Sequence, residues 1–400
     1  MNVVTSPSLE EPRVDMSLIA TTDPPASLDR TLFVDEIESL QSLLKLETEW
    51  RQLHHLAGTV PFTSWEWNVT WWRHLSRHSL VTSDRLFVRA IRARSGQLVG
   101  IAPLMVSEYP GRGPRVRCLR YFGADPNITE IRGPLIIPEY EIAAYDALLR
   151  NLFARPEKWD VFLVDGIRAD SAFLPLLHLH GAPHWLEEVP SFVLQLPATW
   201  EQFRSTRRRN VKESLRKSSN SLKRSGLVPV HRVATRGPEL VTTIESFFKL
   251  HAARARRVDT VPHSDVFHRP AAADFLRELC DRLSERDQVR VFSMAVDHRV
   301  VAVRVAFVAA RSLYLYYSGY DPDYGKYSVM TNIMAEAIKY AIANGYTEVN
   351  LSTGADWSKT RWSPNCTTLR RALIASRRTH AFATIGYKHL YQLRARFVGD

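Results

Sequence analysis

The sequence predicts a mixed α/β fold in two successive halves, each a mixed β-sheet flanked by helices. Three observations lead to this fold class. Short apolar runs with period-2 alternation are interspersed with longer runs of helical spacing along most of the 400 residues. The order of helices, three-strand meander, helix and strand occurs twice, roughly 190 residues apart. The second occurrence ends in a strand–turn–helix–strand series, which is typical of a βαβ unit with neighbouring parallel strands.

The C-terminal βαβ unit carries the strongest functional signal. Its first strand is Leu313–Ser318, its helical pattern runs from Val329 to Asn344 and stops at Gly345, and its second strand is Glu348–Leu351. The turn before the helix offers free backbone N–H groups at the positive helix end, so it predicts an anion site for a phosphorylated cofactor. That site comprises Gly325, Lys326, Tyr327 and Ser328. Alternatively, Ser328 only caps the helix.

The first half is predicted to begin after a disordered tail, residues 1–30, in which prolines and small polar residues prevail. The remaining predicted elements are a helix Asp35–Leu56, a hairpin of strands 86–91 and 98–106 turning at Ser95-Gly96, a strand 117–122, a helix 140–153 and a strand 159–164. Four tryptophans lie between Trp65 and Trp72. They indicate either a buried short helix or an aromatic platform for stacking sugars.

The second half repeats this order with helices 240–255 and 272–284, strands 289–296 and 300–309, and then the βαβ unit. We therefore expect an N-terminal domain at residues 31–190 and a C-terminal domain at 191–400, joined near 190–226. The first half shows no comparable anion turn, so it is expected to be structural or to shape the acceptor groove.

Composition excludes several classes of protein. No apolar run reaches the length of about 18 residues that a membrane-spanning helix needs, and the N-terminus lacks the pattern of a secretory signal. Cys118, Cys280 and Cys366 form no CxxC pair and are predicted to be buried thiols of a cytoplasmic protein. The 14 histidines show no metal-ligand spacing, so no metal is expected.

The net charge of +11 is concentrated in one segment. Eight basic residues and a single acidic one lie between Ser205 and Arg224, on a predicted helix with Ser205 as its N-cap and Gly226 at its end. This helix is either merely solvated or binds phosphates of CoA, tRNA or a nucleotide-linked sugar, or anionic lipid headgroups at the inner membrane face. Arginine binds phosphate through two parallel N–H donors, so Arg207, Arg208 and Arg209 are the residues favoured for contact with a phosphorylated ligand.

Several dispersed motifs occur in a shared order over about Phe62 to Leu373. They are Pro61-Phe62 with the tryptophans, Leu98-Val99-Gly100-Ile101-Ala102-Pro103-Leu104, Trp159-Asp160, Arg207-Arg208-Arg209-Asn210-Val211, Leu250-His251-Ala252-Ala253-Arg254, Tyr317-Ser318-Gly319-Tyr320-Asp321-Pro322, and the run from Gly354 to Trp362. In these motifs the chain resembles the GNAT acyltransferase superfamily, and specifically its cellulose-biosynthesis-associated (CelD-like) branch. That branch is related to the Fem-type transferases, which carry two tandem GNAT domains.

The resemblance implies an acyltransferase with acyl-CoA, such as acetyl-CoA, as co-substrate. It places Asp356 as the general base, Lys359 as its electrostatic partner and Tyr320 as the proton donor to the leaving thiolate. His251 and Arg254 would contact the acceptor. The family continues the turn with Ser-Pro-Gly, whereas Val329 and Met330 follow Ser328 here, so Gly325 would provide the close approach to phosphate.

The implied reaction moves an acyl group to a hydroxyl or amine of a saccharide or cell-envelope precursor, in exopolysaccharide biosynthesis. Two alternatives remain open at this point. One is a Fem-like transferase that uses an aminoacyl-tRNA. The other is a non-catalytic scaffold in a membrane-associated polysaccharide-synthesis complex.

Overall fold

The computed structural model describes residues 31–79, 82–109, 116–125, 127–257, 263–362 and 365–376. The strands in these ranges are β1 Leu32–Ile37, β2 Ser83–Leu86, β3 Val88–Ala93, β4 Leu98–Ala102, β5 Leu104–Tyr109, β6 Val116–Tyr121, β7 Leu135–Ile136, β8 Val161–Arg168, β9 His184–Gln195, β10 Val230–Ala234, β11 Val289–Val296, β12 Arg299–Ala309, β13 Ser312–Tyr320, β14 Glu348–Thr353 and β15 Cys366–Ala375.

The helices are α1 Leu40–Leu44, α2 Glu47–Ala57, α3 Trp65–Leu75, α4 Glu141–Phe153, α5 Phe173–His180, α6 Trp200–Thr206, α7 Arg209–Arg224, α8 Gly237–Ala255, α9 Pro270–Ser284, α10 Val329–Ala343 and α11 Trp357–Thr360. Short 3-10 turns occur at Pro61–Thr63, Pro138–Tyr140, Val266–His268 and Pro322–Tyr327. Among the described helices, none combines the length and apolar character that crossing a bilayer requires.

Two sheets confirm the predicted mixed α/β fold. The small sheet is antiparallel, in the order β1-β3-β4-β7, and the large sheet has the order β10-β11-β12-β13-β14-β9-β15-β8-β6-β5-β2. Within the large sheet, β6 runs parallel to β8 and β13 runs parallel to β14. The connections that contain α4 and α10 join these parallel pairs. The two halves therefore share one order of strand directions, as the repeated sequence pattern predicts.

The two halves exchange a strand at the centre of the large sheet. After β8 the chain forms β9, which pairs with β14 of the other half. After β14 the chain forms β15, which pairs with β8 of the first half. β9 and β15 are also antiparallel neighbours over residues 184–192 and 366–373. The sheet thus runs unbroken across residue 190, where the sequence suggests a boundary between domains.

The tryptophan-rich segment forms α3, which packs against α9. Ser64 caps this helix by accepting a hydrogen bond from the Trp67 N–H. Trp67 has no exposed surface and packs edge-on against Phe62, Phe275 and Tyr316. The other three tryptophans of α3 are at most 9% exposed. The buried-helix interpretation is therefore confirmed, and the sugar-stacking alternative is wrong for these four rings.

Other local predictions need correction. The predicted helix Asp35–Leu56 starts too early, because residues 32–37 alternate and pair with β3; the helix begins after Ser39, whose hydroxyl caps α1. The predicted strand 98–106 is divided at Pro103, which lacks a ladder N–H, into β4 and β5 of different sheets. Cys366 is exposed, unlike the buried Cys118 and Cys280. The N-terminal tail lies outside the described residues.

The predicted cap of the basic helix is also wrong. The segment forms two helices, with α6 capped by Thr199 and α7 starting after Arg208 in extended backbone. The Ser205 hydroxyl instead donates to the carbonyl of Gln202 inside α6. Gly226 does end α7, since it lies at φ +69°, where a side chain would be strained.

We expect the exchanged strands to make both halves unfold together. Leu194 on β9 and Leu373 on β15 are almost fully buried, so Leu194→Ala or Leu373→Ala should each lower the free energy of unfolding by about 2–5 kcal/mol. Urea denaturation followed by tryptophan fluorescence and circular dichroism measures this. Each variant should show one coincident transition; a half that unfolds separately would contradict the expectation.

Candidate active site

The parallel strands of the C-terminal βαβ unit separate before they end. β13 and β14 are paired only from Ser312 opposite Glu348 to Tyr314 opposite Asn350. Beyond that point β13 continues to Tyr320 alongside β12, while Thr353 of β14 lies opposite Ser191 of β9. A gap therefore opens at the carboxyl ends of the two strands, which is where open α/β sheets place ligands. We call it the β13–β14 gap.

The N-terminus of α10 lies beside this gap and has no side-chain cap. Ser328 adopts the left-handed conformation, φ 56° and ψ 40°, and its hydroxyl accepts no bond from the first turn. Its carbonyl accepts from the N–H groups of Thr331 and Asn332. The N–H groups of Val329 and Met330 have no acceptor in the part of the chain that the structure describes. The cap alternative is thus wrong, and donors remain for an anion.

The predicted anion turn forms the 3-10 segment just before Ser328. Gly325 and Lys326 are exposed. The Lys326 ammonium lies 5.1 Å from the centre of the Tyr327 ring. A methyl group at Gly325 would come within 3.4 Å of the Tyr320 ring, so this turn packs close to the end of β13.

One basic residue that the sequence did not single out lies at this helix end. Arg361 donates from Nη2 to Thr331 Oγ1 at 2.9 Å and from Nη1 to Ser214 Oγ at 3.2 Å. Its Nε is buried without a hydrogen-bond partner among the described residues. Burial lowers the pKa of the Arg361 guanidinium, as expected for a charge held by neutral hydroxyls. Arg361 thereby joins α7 to the first turn of α10.

The predicted arginine trio is divided by the structure. Arg207 donates to the carbonyl of Trp362 at 2.9 Å, and burial lowers the pKa of its guanidinium. Arg208 is exposed at the start of α7. The Arg209 side chain is 91% exposed and bonds to Glu213 at 2.8 Å. Of the three, Arg207 is the one tied to the segment that carries Arg361.

Asp356 and Lys359 form an ion pair just past β14. The Lys359 ammonium lies 2.9 Å from Asp356 Oδ2 and also donates to the carbonyl of Thr353. Burial raises the pKa of Asp356, but donors from Ser358 and Lys359 outweigh it, and the net pKa lies below the usual value. The carboxylate is consequently ionised and only weakly basic at neutral pH.

A second carboxylate reaches this region from the first half of the chain. Glu130 accepts hydrogen bonds from the Ser352 hydroxyl at 2.7 Å, from the Thr353 N–H at 3.3 Å and from the Tyr314 hydroxyl. Burial raises its pKa, against these donors and the nearby charge of Lys359. Nothing in the sequence around Glu130 signals this role, because its contacts lie 184 to 223 residues away.

Three tyrosine hydroxyls of β13 hold the loop that carries Glu130. Tyr314 donates to Glu130 itself, Tyr316 donates to the carbonyl of Ile128 at 2.7 Å, and Tyr317 donates to the carbonyl of Asn127. The apolar alternation of β13 predicts its burial, and its three tyrosine hydroxyls in addition hold the loop at residues 127–130 against the strand. The first half thus contributes directly to the β13–β14 gap.

His251 and Arg254 lie on α8 where that helix crosses β13. A methyl group at Gly319 would be only 2.4 Å from the His251 backbone nitrogen, so the glycine permits this close crossing. His251 is fully buried, with Nδ1 3.2 Å from the Ser318 carbonyl, and burial lowers its pKa. The neighbouring His263 has its pKa lowered to about 3, first by burial and then by the charge of Arg254. Both imidazoles are therefore neutral.

The predicted acceptor and catalytic residues share one electrostatic environment. The Arg254 guanidinium lies 6.0 Å from the Tyr320 ring. Burial lowers the pKa of Arg254, and the smaller raising effects of Tyr320 and Asp356 do not offset it. The described histidine, cysteine and acidic side chains include no group of three placed to hold a metal ion. The gap is thus lined by cations, neutral imidazoles and two carboxylates.

We expect the ionisation of Glu130 to affect stability. Burial raises the folded-state pKa of Glu130 above the ordinary 4.5. The protonated carboxyl group therefore stabilises the fold in full below pH 4.5, and this contribution is lost as the pH rises through the raised pKa. Urea denaturation across this window should show the wild type losing stability relative to Glu130→Gln as the pH rises. A difference between the two proteins that stays constant with pH would contradict this assignment.

Comparison with known proteins gives a domain match and several similar folds. Residues 207–360 match the family model of the acetyltransferase (GNAT) domain. No curated protein matches the sequence. The crystal structure of FemX is similar over 90% of this chain and 99% of its own, with 12% identity and a TM-score of 0.56. The C-terminal domain of a putative lysylphosphatidylglycerol synthetase from Agrobacterium fabrum matches over 86% of this chain and 95% of its own, at 11% identity and a TM-score of 0.50.

At such identities these likenesses concern the fold alone. The domain match covers the segment from the start of the basic helix to α11, and so includes α10, both strands of the β13–β14 gap and Arg254. The predicted GNAT resemblance is confirmed for this region. Residues 207–360 therefore resemble a GNAT acetyltransferase domain, and the chain has a fold similar to that of FemX.

Proposed function

We propose that the protein transfers an acyl group from acyl-CoA to a hydroxyl or amine of a saccharide or cell-envelope precursor. The observation that carries this proposal is the uncapped N-terminus of α10, which lies beside the β13–β14 gap with Arg361 at its first turn. A phosphorylated donor held there would have its acyl end directed toward the gap.

The donor phosphates would bind the N–H groups of Val329 and Met330. A helix N-terminus contributes roughly 0.3–2 kcal/mol to an anion through its dipole, in addition to these hydrogen bonds. The Arg361 guanidinium keeps a donor that no described residue satisfies. Arginine recognises phosphate in a bidentate manner, so the pair of helix end and guanidinium suits a pyrophosphate.

A groove next to this helix end is large enough for the nucleotide part of the donor. It lies between α6, α7 and α10 and has a volume of about 920 Å³, near the upper end of the range for ligand pockets. Four basic and three acidic side chains line it, together with Trp200: Arg204, Lys212, Arg216 and Lys339, and Glu201, Glu213 and Glu336. No residue of β13 or β14 lines it. The groove would therefore hold the carrier, and the β13–β14 gap would hold the reacting groups.

Acyl transfer needs a base for the acceptor and a positive group near the developing oxyanion. Glu130 suits the base better than Asp356, since its raised pKa makes it the stronger base at neutral pH. Lys359 lies near both carboxylates and would stabilise the oxyanion. The acceptor proton would pass to the carboxylate, the carbonyl carbon would bond the acceptor, and Tyr320 would protonate the leaving thiolate.

The saccharide acceptor is proposed on the resemblance to the cellulose-biosynthesis-associated branch. The exposed cations of α7 would suit a location at the inner membrane face, where anionic headgroups attract basic helices. The two domains proposed at residues 31–190 and 191–400 would then act as one unit, because Glu130 belongs to the first and Lys359 to the second.

The same exposed helix face favours a second candidate, a transferase that uses an aminoacyl-tRNA. Its basic residues are Arg209, Lys212, Arg216, Lys217, Lys223 and Arg224, all exposed. Binding of tRNA through such a face would weaken steeply with salt. Titration with tRNA at two salt concentrations distinguishes the candidates, since an acyl-CoA enzyme should show no tRNA binding that competes with CoA.

We expect acetyl-CoA to bind the wild type and to raise its melting temperature in proportion to the logarithm of its concentration above Kd. Arg361→Met should weaken binding by about 1.5–3 kcal/mol, because a charged hydrogen-bond donor to phosphate is lost. Isothermal titration calorimetry measures this effect. Arg150→Met is the matched control, since Arg150 is 73% exposed on α4.

Three results would count against the proposal. Absence of acetyl-CoA binding at saturating concentration would exclude the acyl-CoA donor. Equal losses in Arg361→Met and Arg150→Met would remove Arg361 from the site. Donor binding without turnover on any saccharide or amine acceptor would favour the scaffold role.

A further inference from the structure

Two arginines near the end of β13, Arg254 and Arg304, form no ion pair with any acidic residue that the structure describes. Arg304 on β12 lies directly opposite Ser318 in the β12–β13 register. Arg254 on α8 approaches the same serine, with Nη1 3.5 Å from Ser318 Oγ. The Nε of Arg304 is buried and has no hydrogen-bond partner among the residues that the structure describes. Two arginines from different elements thus lie beside one residue, Ser318, in the part of β13 that extends past its pairing with β14.

Burial makes this arrangement unfavourable for the protein alone. It lowers the pKa of Arg304 to about 10, with a further lowering by the charge of Arg254. A guanidinium nevertheless stays charged at neutral pH. Both side chains are half-buried. Taking a charge partly out of water without a partner is unfavourable, and two like charges near one another add to the effect.

The surrounding groups do not balance these charges. Asp356 is the acid that acts on both arginines, and it already forms the ion pair with Lys359 at 2.9 Å. The imidazoles of His251 and His263 are neutral, and Asp265 lies 3.9 Å from His251 rather than beside the arginines. Charge complementarity therefore favours an anion between Arg254 and Arg304.

We propose that Arg254 and Arg304 together bind an oxyanion, phosphate or carboxylate, carried by the acyl acceptor. This inference rests on the proposed function and specifies its substrate as an anionic saccharide derivative, such as a sugar phosphate or an acidic sugar. Two arginine forks suit such a group because each can make parallel N–H···O bonds.

This site is distinct from the one that would hold the donor. Arg361 bonds to Ser214 and Thr331 at the start of α10, whereas Arg254 and Arg304 meet at Ser318 on β13. The two arginine sites lie at different elements around the same gap. A donor anion and an acceptor anion could therefore be bound at once, with the reacting groups between them.

The test uses inorganic phosphate as the probe, with ionic strength held constant by sodium chloride. In the presence of saturating CoA, phosphate should still raise the melting temperature of the full-length protein, because CoA occupies the donor site. Arg304→Met should weaken phosphate binding at least about tenfold, as expected for losing a charged donor to an oxyanion. Arg150→Met should bind phosphate like the wild type. Sodium acetate in place of phosphate tests whether a carboxylate is accepted.

A second variant and a second readout keep the proposal testable if Arg304→Met does not fold. Arg254→Gln should show the same loss of phosphate binding. In an acyl-transfer assay either variant should raise KM for a sugar phosphate and leave KM for the corresponding neutral sugar unchanged, a split that a merely structural role would not produce.

Two outcomes would overturn the inference. If CoA abolished the phosphate effect, the arginines would serve the donor. If Arg304→Met and Arg150→Met bound phosphate equally, the arginines would not form the site. Failure of acetyl-CoA to bind would instead contradict the proposed acyl-CoA reaction, and the comparison of Arg304→Met with Arg150→Met would then decide whether the arginines bind phosphate.

Discussion

The pairing of β9 with β15 is the constraint on which the rest of the structure depends. β9 follows the first half in the chain but pairs with β14 of the second half. β15 follows β14 in the chain but pairs with β8 of the first half. The exchange joins two similar sheets into one and fixes their relative position. Only with that position fixed can the loop from Asn127 to Glu130 lie against β13 and bring a carboxylate to the gap in the other half.

The sequence was sufficient for much of the local structure near the site. The alternation in β13, the helical spacing of α10 and the glycine after it predict a βαβ unit, and β13 and β14 are indeed parallel. The same pattern indicates where an anion could bind. The prediction of the βαβ unit succeeds because strand alternation and helical spacing are local properties of the chain. The anion site at its turn stays a prediction.

The remainder of the site could not be predicted because it depends on contacts between distant segments. Glu130 is surrounded in sequence by ordinary loop residues, and its partners Ser352 and Thr353 are more than 220 residues away. Arg304 is a charged residue within an apolar strand, which without the fold indicates only an edge or a face open to solvent. For the same reason the sequence does not reveal that β9 and β15 change partners, since pairing across the sheet leaves no trace in their own alternation.

The strand exchange also has a consequence for biosynthesis. β8 ends at Arg168, but its neighbour β15 starts at Cys366, so almost 200 further residues must be translated before that sheet edge can be covered. Throughout this interval the nascent first half presents an unpaired edge of mostly buried-type residues, a known template for association between chains. A strand translated almost 200 residues later thus covers the edge of a sheet formed early, and premature termination before β15 would release a polypeptide in which the edge of β8 stays open.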